Sequence, residues 1–181
     1  MGYRPGRVPA SVRDRLHDLV ETSDRDFVPP LSWRAAIGES TWAAQSLGRG
    51  VEPYFASLMA RAEIITVGCD RTIAGFCAFQ YPCAWRGRDY LYVSTAIIAP
   101  AFRGRRLTSR FVPPIALTAL RHRVPILAKT WSSNTRCVRA LSRWARVVES
   151  LPSDRAPGVD TLYWRFDPGV AVCSLVSRGV R

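Results

Sequence analysis

The chain predicts an α+β (α/β) fold: one domain with a central sheet of about six to seven strands flanked by helices. Three observations carry this. Between residues 11 and 59 the apolar residues recur at helical spacing. From Glu63 to Ile98 they fall in strand-length runs rich in β-branched and aromatic residues, separated by turn residues. Beyond Ile98, segments of helical and strand length alternate. At 181 residues the chain is long enough to bury one full core without metals or cross-links, and no repeat or low-complexity segment marks a domain boundary.

Residues 1–10 are Pro/Gly/Arg-rich and read as a flexible or edge-strand tail, as do residues 168–181. Ser11 reads as an N-cap with Asp14 three residues on, and Val12, Leu16, Leu19 and Val20 share a face of a helix over 11–22. Pro29 and Pro30 break the chain. Two short helical pieces follow over 32–37 and 40–47, each opened by a serine and closed by a glycine, Gly38 and Gly48. Trp33 and Trp42 there read as packing residues. Pro53 suits the first turn of a further helix that buries Tyr54, Phe55, Leu58 and Met59.

The period then changes. Residues 64–67, a turn at Cys69-Asp70-Arg71, and residues 72–81 form a hairpin. Pro82 and the polar run 85–89 turn the chain into a strand over 90–98. Helical composition resumes over 107–123, where Pro113 and Pro114 either kink one helix or begin a second. A buried strand over 124–130, a helix over 132–144, a strand over 146–151, a Pro/Gly/Asp-rich loop over 152–160 and a strand over 161–166 complete the order. The apolar stretch 170–176 is too short to span a membrane, and reads as an edge strand or a partner contact.

The chemistry concentrates in residues 90–109, YLYVSTAIIAPAFRGRRLTS. A strand ends at Pro100, and a short basic loop with Gly104 leads into a helical segment. Unpaired N–H groups at such a junction favour an anion, so a phosphate-holding turn is one reading. An ordinary strand–loop–helix connection with solvated arginines is the other.

The net charge is +12, and Lys129 is the only lysine among 26 basic residues. Arginine's planar fork suits phosphate and carboxylate, which favours polyanionic partners such as nucleic acid or nucleotides. A compositional bias of the source genome gives the same count. The five cysteines, Cys69, Cys77, Cys83, Cys137 and Cys173, include no C-x-x-C pair and no nearby histidine cluster, so neither a metal nor a disulfide framework is expected. Reduced thiols in a cytoplasmic protein follow. The first residues lack the apolar core of a signal peptide, and Gly6 stands where a myristoylation signal needs Ser or Thr.

Over residues 51–166 the pattern resembles the GNAT superfamily of acyl-CoA N-acyltransferases. That family has a strand ending in an apolar residue, a proline, then R/Q-x-x-G-x-G/A opening a helix. Here Ile98-Ala99-Pro100-Ala101-Phe102 precedes Arg103-Gly104-Arg105-Arg106-Leu107-Thr108, while Gly75 in the hairpin and Asn134 opening a later helix fall at matching places. The resemblance implies a single GNAT-like domain with a mixed central sheet. It also implies acetyl-CoA (or another acyl-CoA) as co-substrate, no metal, and direct attack of an amine on the thioester. Arg103, Gly104, Arg105, Arg106, Leu107, Thr108 and Ser109 would hold the pyrophosphate and Asn134 the pantetheine arm. The backbone N–H of Ile98 would polarise the thioester carbonyl.

Four departures from the family pattern stand out. Arg106 and Thr108 occupy the positions of its two glycines, offering a charge and a hydroxyl where close backbone approach is usual. Leu141 stands where many members carry a proton-donating tyrosine, and Ala145-Arg146 replaces a Gly-Phe pair. Tyr92 stands where histone-type members carry a glutamate base. A phenol with a reference pKa of about 10 is a weak base at neutral pH, so Tyr92 either orients a water or packs.

His17, His122 and Cys137 read as packing or surface residues. The resemblance implies a small-molecule or peptide amine as acceptor, bordered in the family's manner by residues 24–48 and 152–160, without fixing which amine. Trp33, Trp42, Glu39, Asp154 and Asp160 there suit an aromatic or cationic group. Two rivals stay open: a nucleic-acid or aminoacyl-RNA acceptor, from the charge, and a GNAT-like protein that binds CoA or a partner without turnover. No membrane association is expected, and a homodimer is compatible with the resemblance.

Overall fold

The structure is a computed structural model that describes residues 1–27, 30–34, 50–69 and 72–170. The predicted helix over 40–47 with Trp42, the adjoining Glu39, the turn residues Asp70 and Arg71, and the stretch beyond residue 170 with Cys173 lie outside the described residues. The fold is α+β, as expected, built on a mixed sheet. Its strands are β1 (Gly2–Tyr3), β2 (Glu63–Cys69), β3 (Thr72–Trp85), β4 (Arg88–Ile98), β5 (Ile126–Trp131), β6 (Arg146–Ala156) and β7 (Val159–Phe166). They lie in the order β1-β2-β3-β4-β5-β7-β6. β4 and β5 run parallel, whereas β1–β2, β5–β7 and β6–β7 pair antiparallel. Among the described residues no helix is long and apolar enough to cross a membrane.

The chain divides into two compact units, both drawing on β3 and β4. The first comprises Met1–Ala78 and Thr95–Arg105. Here α1 (Ala10–Thr22) and α3 (Val51–Arg61), with the single turn α2 (Leu31–Arg34) between them in sequence, supply the apolar faces that the spacing predicts. Leu16, Leu19, Val20, Leu31, Tyr54, Phe55, Leu58 and Met59 are buried together with Ile64, Phe76 and Ile97 from the strands. The start of α1 differs from expectation. Pro9, not Ser11, is the N-cap, and its carbonyl takes the N–H groups of Val12 (3.0 Å) and Arg13 (2.8 Å). A proline of fixed φ in extended backbone presents that carbonyl without help from a side chain. The N-terminal tail is an edge strand, with Gly2 opposite Ile65 and Tyr3 opposite Ile64.

The second unit comprises Phe79–Ser94 and Arg106–Arg181. Pro82 does not end β3, which runs on to Trp85. The reversal falls to Arg86 and Gly87, both with positive φ (50° and 74°), the conformation a two-residue hairpin turn demands. The paired prolines begin a second helical piece. A 3-10 segment over Leu107–Phe111 leads into α4 (Val112–His122), whose first turn takes the prolines where their missing N–H groups have no helical partner anyway.

The predicted loop over 152–160 is largely strand. β6 and β7 pair irregularly as far as Ala156 opposite Val159 and reverse at Pro157-Gly158. Tyr90, Leu127 and Tyr163 form the buried aromatic centre here, with Trp85 stacked on Tyr163 (ring centroids 5.5 Å apart).

Candidate functional site

In the first unit, the end of β4 is held from several sides. Gly75 on β3 has no side chain, and Ile97 and Ile98 fill the space a Cβ would need: one built there would stand 2.6 Å from Ile98 Cδ1 and 3.1 Å from Ile98 Cα. The N–H of Ala99 donates to the carbonyl of Ala74 (2.9 Å). The carbonyl of the same 98–99 peptide accepts from Arg103 Nε (3.0 Å). Arg103 reaches back because a 3-10 turn over Pro100–Phe102 reverses the chain just before it. Its Nη2 is ion-paired with Asp26 Oδ2, and Nη1 lies 3.5 Å from Asp26 Oδ1. The guanidinium of Arg103 is therefore engaged within the protein at all three nitrogens.

The basic segment that follows is bent by two left-handed residues, Gly104 (φ 81°) and Arg106 (φ 56°, ψ 24°). Left-handed backbone explains why glycine suits the position of Arg106: any residue with a Cβ is strained there by roughly 1 kcal/mol. The N–H groups of Gly104, Arg106, Leu107 and Thr108 have no backbone acceptor among the described residues. Ser109, by contrast, spends both its N–H (3.1 Å) and its hydroxyl (2.7 Å) on the carbonyl of Arg106. Backbone bent in this way gathers N–H groups into anion-binding concavities. The side chains play other parts. Leu107 is buried, Arg105 lies over the Phe102 ring (5.3 Å to its centroid), and Arg106 and Thr108 are exposed.

In the second unit, Asn134 caps α5 (Thr135–Leu141), its Oδ1 accepting the N–H of Cys137 at 3.1 Å. Asn134, rather than Ser132 or Ser133, therefore opens the helix, and its amide Nδ2 remains beyond the cap. Tyr92, opposite Leu127 in the β4–β5 ladder, packs against the aromatic centre. That ladder joins Leu91, Tyr92 and Val93 to Ile126, Leu127 and Ala128, and among the described residues goes no further. Burial raises the Cys137 thiol, offset in part by a hydrogen bond with Thr130, so it is no thiolate nucleophile.

Of the three carboxylates predicted for a cationic acceptor, the two among the described residues, Asp154 and Asp160, are used internally. Asp154 Oδ2 accepts from Thr161 Oγ1 (2.6 Å), and Asp160 Oδ1 accepts from the N–H of Ser153 (3.1 Å). Trp33 is exposed. Sequence reasoning missed Asp26: it belongs to no pattern, and only the folded chain brings it to Arg103.

No protein-family profile matches the sequence, and no curated protein matches it by sequence. Solved structures do match in fold. A protein assigned to the GNAT family of acetyltransferases from Desulfovibrio desulfuricans aligns over 93% of this chain and 98% of its own, with a TM-score of 0.60 at 16% identity. An aminoglycoside 6'-N-acetyltransferase complexed with coenzyme A aligns over 91% and 95%, with a TM-score of 0.62 at 11% identity. YncA of Salmonella typhimurium, assigned as an acetyltransferase and crystallised with acetyl-CoA, aligns over 85% and 88%, with a TM-score of 0.57 at 14% identity. The chain has the fold of the GNAT acetyltransferases.

Proposed function

We propose that the protein is an acyl-CoA-dependent N-acyltransferase that transfers an acetyl group to an amine by direct attack. The observation that carries this is the run of N–H groups at Gly104, Arg106, Leu107 and Thr108 that have no backbone acceptor among the described residues, in the segment that stands where the family has its pyrophosphate loop. These donors fit a pyrophosphate. CoA-bound relatives of the same fold support acetyl-CoA as the co-substrate.

In this reading the loop holds the phosphates through its backbone, with Arg106 adding charge. Asn134 Nδ2 serves the pantetheine arm, and the Ile98 N–H polarises the acyl carbonyl where negative charge develops. Acyl-CoA supplies the acyl group already activated as a thioester. The place of Tyr92 in the aromatic cluster supports packing over proton transfer, so the amine's proton passes to water or to the acceptor's own surroundings. The free thiols Cys77, Cys83 and Cys137 suit a reducing cytoplasm.

Titration calorimetry with acetyl-CoA at low salt tests the binding half, and thiol release across a panel of small amines and peptides tests turnover. Saturable binding with amine-dependent thiol release is expected. Absence of binding overturns the reading, and binding without release from any amine leaves a CoA-binding protein in its place.

A second reading keeps the enzyme and makes the acceptor a nucleic acid or its aminoacyl ester. The distribution of charge favours it. The second unit holds 15 basic against 5 acidic residues, so +10 of the net +12 lies there. It requires RNA or DNA binding that weakens steeply with salt; a flat salt profile removes it.

A further inference from the structure

The ion pair between Arg103 and Asp26 does more than join two surface side chains. Arg103 is 34% exposed and Asp26 48%, and pairs this open to water contribute about 0–1 kcal/mol to stability. What the pair fixes is direction. With the two terminal nitrogens facing Asp26, Nε is directed back along the chain, where it meets the Ile98 carbonyl.

The peptide between Ile98 and Ala99 is thus gripped at both ends, its oxygen by Arg103 and its N–H by Ala74. Gly75 lets β4 approach closely enough for this grip, since a Cβ there would collide with Ile97 and Ile98. The gripped peptide is the immediate neighbour of the one that carries the Ile98 N–H.

We infer that Asp26 is a positioning residue: it clamps the Arg103 guanidinium so that Nε holds the Ile98 carbonyl and thereby sets the orientation of the Ile98 N–H. The inference rests on the proposed acyltransferase reading, because that N–H is the group assigned to the acyl carbonyl. Arg103 then acts through the backbone at the end of β4. The pyrophosphate is left to the loop N–H groups and Arg106.

Two accounts of Arg103 predict opposite signs. If Arg103 is a direct phosphate ligand, Asp26 competes with the phosphates, and removing its charge tightens acyl-CoA binding. If Asp26 is a clamp, removing it loosens the end of β4. Turnover then falls while acyl-CoA binding holds, because a small misplacement of a reacting group is paid in rate.

Asp26→Asn is nearly isosteric and removes only the charge. Its kcat for acetyl-CoA and the best amine is expected to fall about tenfold with the acetyl-CoA KM within about twofold, and Asp26→Glu to recover part of the loss. Hydrogen exchange at the Ala99 amide, followed by NMR without any ligand, is expected to quicken about tenfold in Asp26→Asn as the peptide loosens. Unchanged kcat and unchanged exchange overturn the inference, as does a lowered acetyl-CoA KM with kcat intact. Wild-type protein that neither binds nor turns over acetyl-CoA overturns the acyltransferase reading. In that case exchange at Ala99 still decides whether the clamp exists.

Discussion

Gly75 lies against Ile97 so closely that the Ile97 carbonyl oxygen occupies the place of a side chain. A Cβ at position 75 would also stand 2.6 Å from Ile98 Cδ1. Both strands are buried here, with Phe76 and Ala78 on one and Ile97 on the other in the same core cluster. Neither neighbour can give way without moving backbone. The relationship sets the course of β4 immediately before the segment that carries Ile98, Arg103 and the left-handed residues.

Replacing Gly75 with alanine therefore overpacks the contact. Inserting a carbon into a tight core costs about 1–3 kcal/mol, and the upper end is expected here because backbone atoms are among those met. Urea denaturation measures the loss. Turnover is expected to fall further than the fraction unfolded explains, since the displaced strand carries the Ile98 N–H. Equal stability in Gly75→Ala would mean that the strands separate freely.

Arg106 supplies a second test, through its left-handed backbone. Arg106→Gly removes roughly 1 kcal/mol of strain and adds a similar entropic loss, so stability is expected to stay within about 1 kcal/mol of wild type. Arg106→Val, β-branched in the same conformation, is expected to lose about 1–3 kcal/mol. If Arg106 adds charge to the phosphates, Arg106→Gly also flattens the salt dependence of acetyl-CoA binding by calorimetry. An unchanged salt slope would assign the phosphates to the backbone alone.

These two positions show what the sequence disclosed and what it hid. The helices around Leu16 and Leu58 and the strands of the sheet were legible, because apolar periodicity reports burial directly. The family pattern drew attention to Gly75, Arg106 and Asn134 through spacing alone. Boundaries were less legible. β3 runs through Pro82, and the Pro/Gly/Asp-rich stretch 152–160 is mostly paired strand, because pairing with a neighbour outweighs local composition. Asp26 was out of reach. An ion pair between residues far apart in the chain leaves no period in the sequence.

Cys77 makes stability depend on alkaline pH. Complete burial pushes its thiol up to about 12 from an ordinary value near 9. Between those values the unfolded chain has released a proton that the folded chain still holds. Stability therefore falls as pH rises from about 9 toward 12, by up to about 1.4 kcal/mol per pH unit for this group. Below about pH 9 the thiol is neutral in both states and the effect vanishes. Urea midpoints compared at pH 8 and pH 10.5 should converge more in Cys77→Ala than in wild type, because other groups titrating in this range are common to both. Equal slopes would show that the thiol is not sealed from water in the folded state.

Asn134 allows capping and ligand binding to be measured apart. Its Oδ1 holds the Cys137 N–H, and losing such a cap costs typically about 1 kcal/mol, so Asn134→Ala is expected to destabilise by that amount. Serine caps comparably well, so Asn134→Ser is expected to keep most of the stability. Neither variant retains the side-chain amide Nδ2, the group assigned to the pantetheine arm. Both are therefore expected to raise the acetyl-CoA KM by a similar factor, several-fold for one hydrogen bond of about 1 kcal/mol, despite their different melting points. If KM instead follows stability, with serine close to wild type and alanine impaired, Asn134 acts on the cofactor only by holding α5 in place.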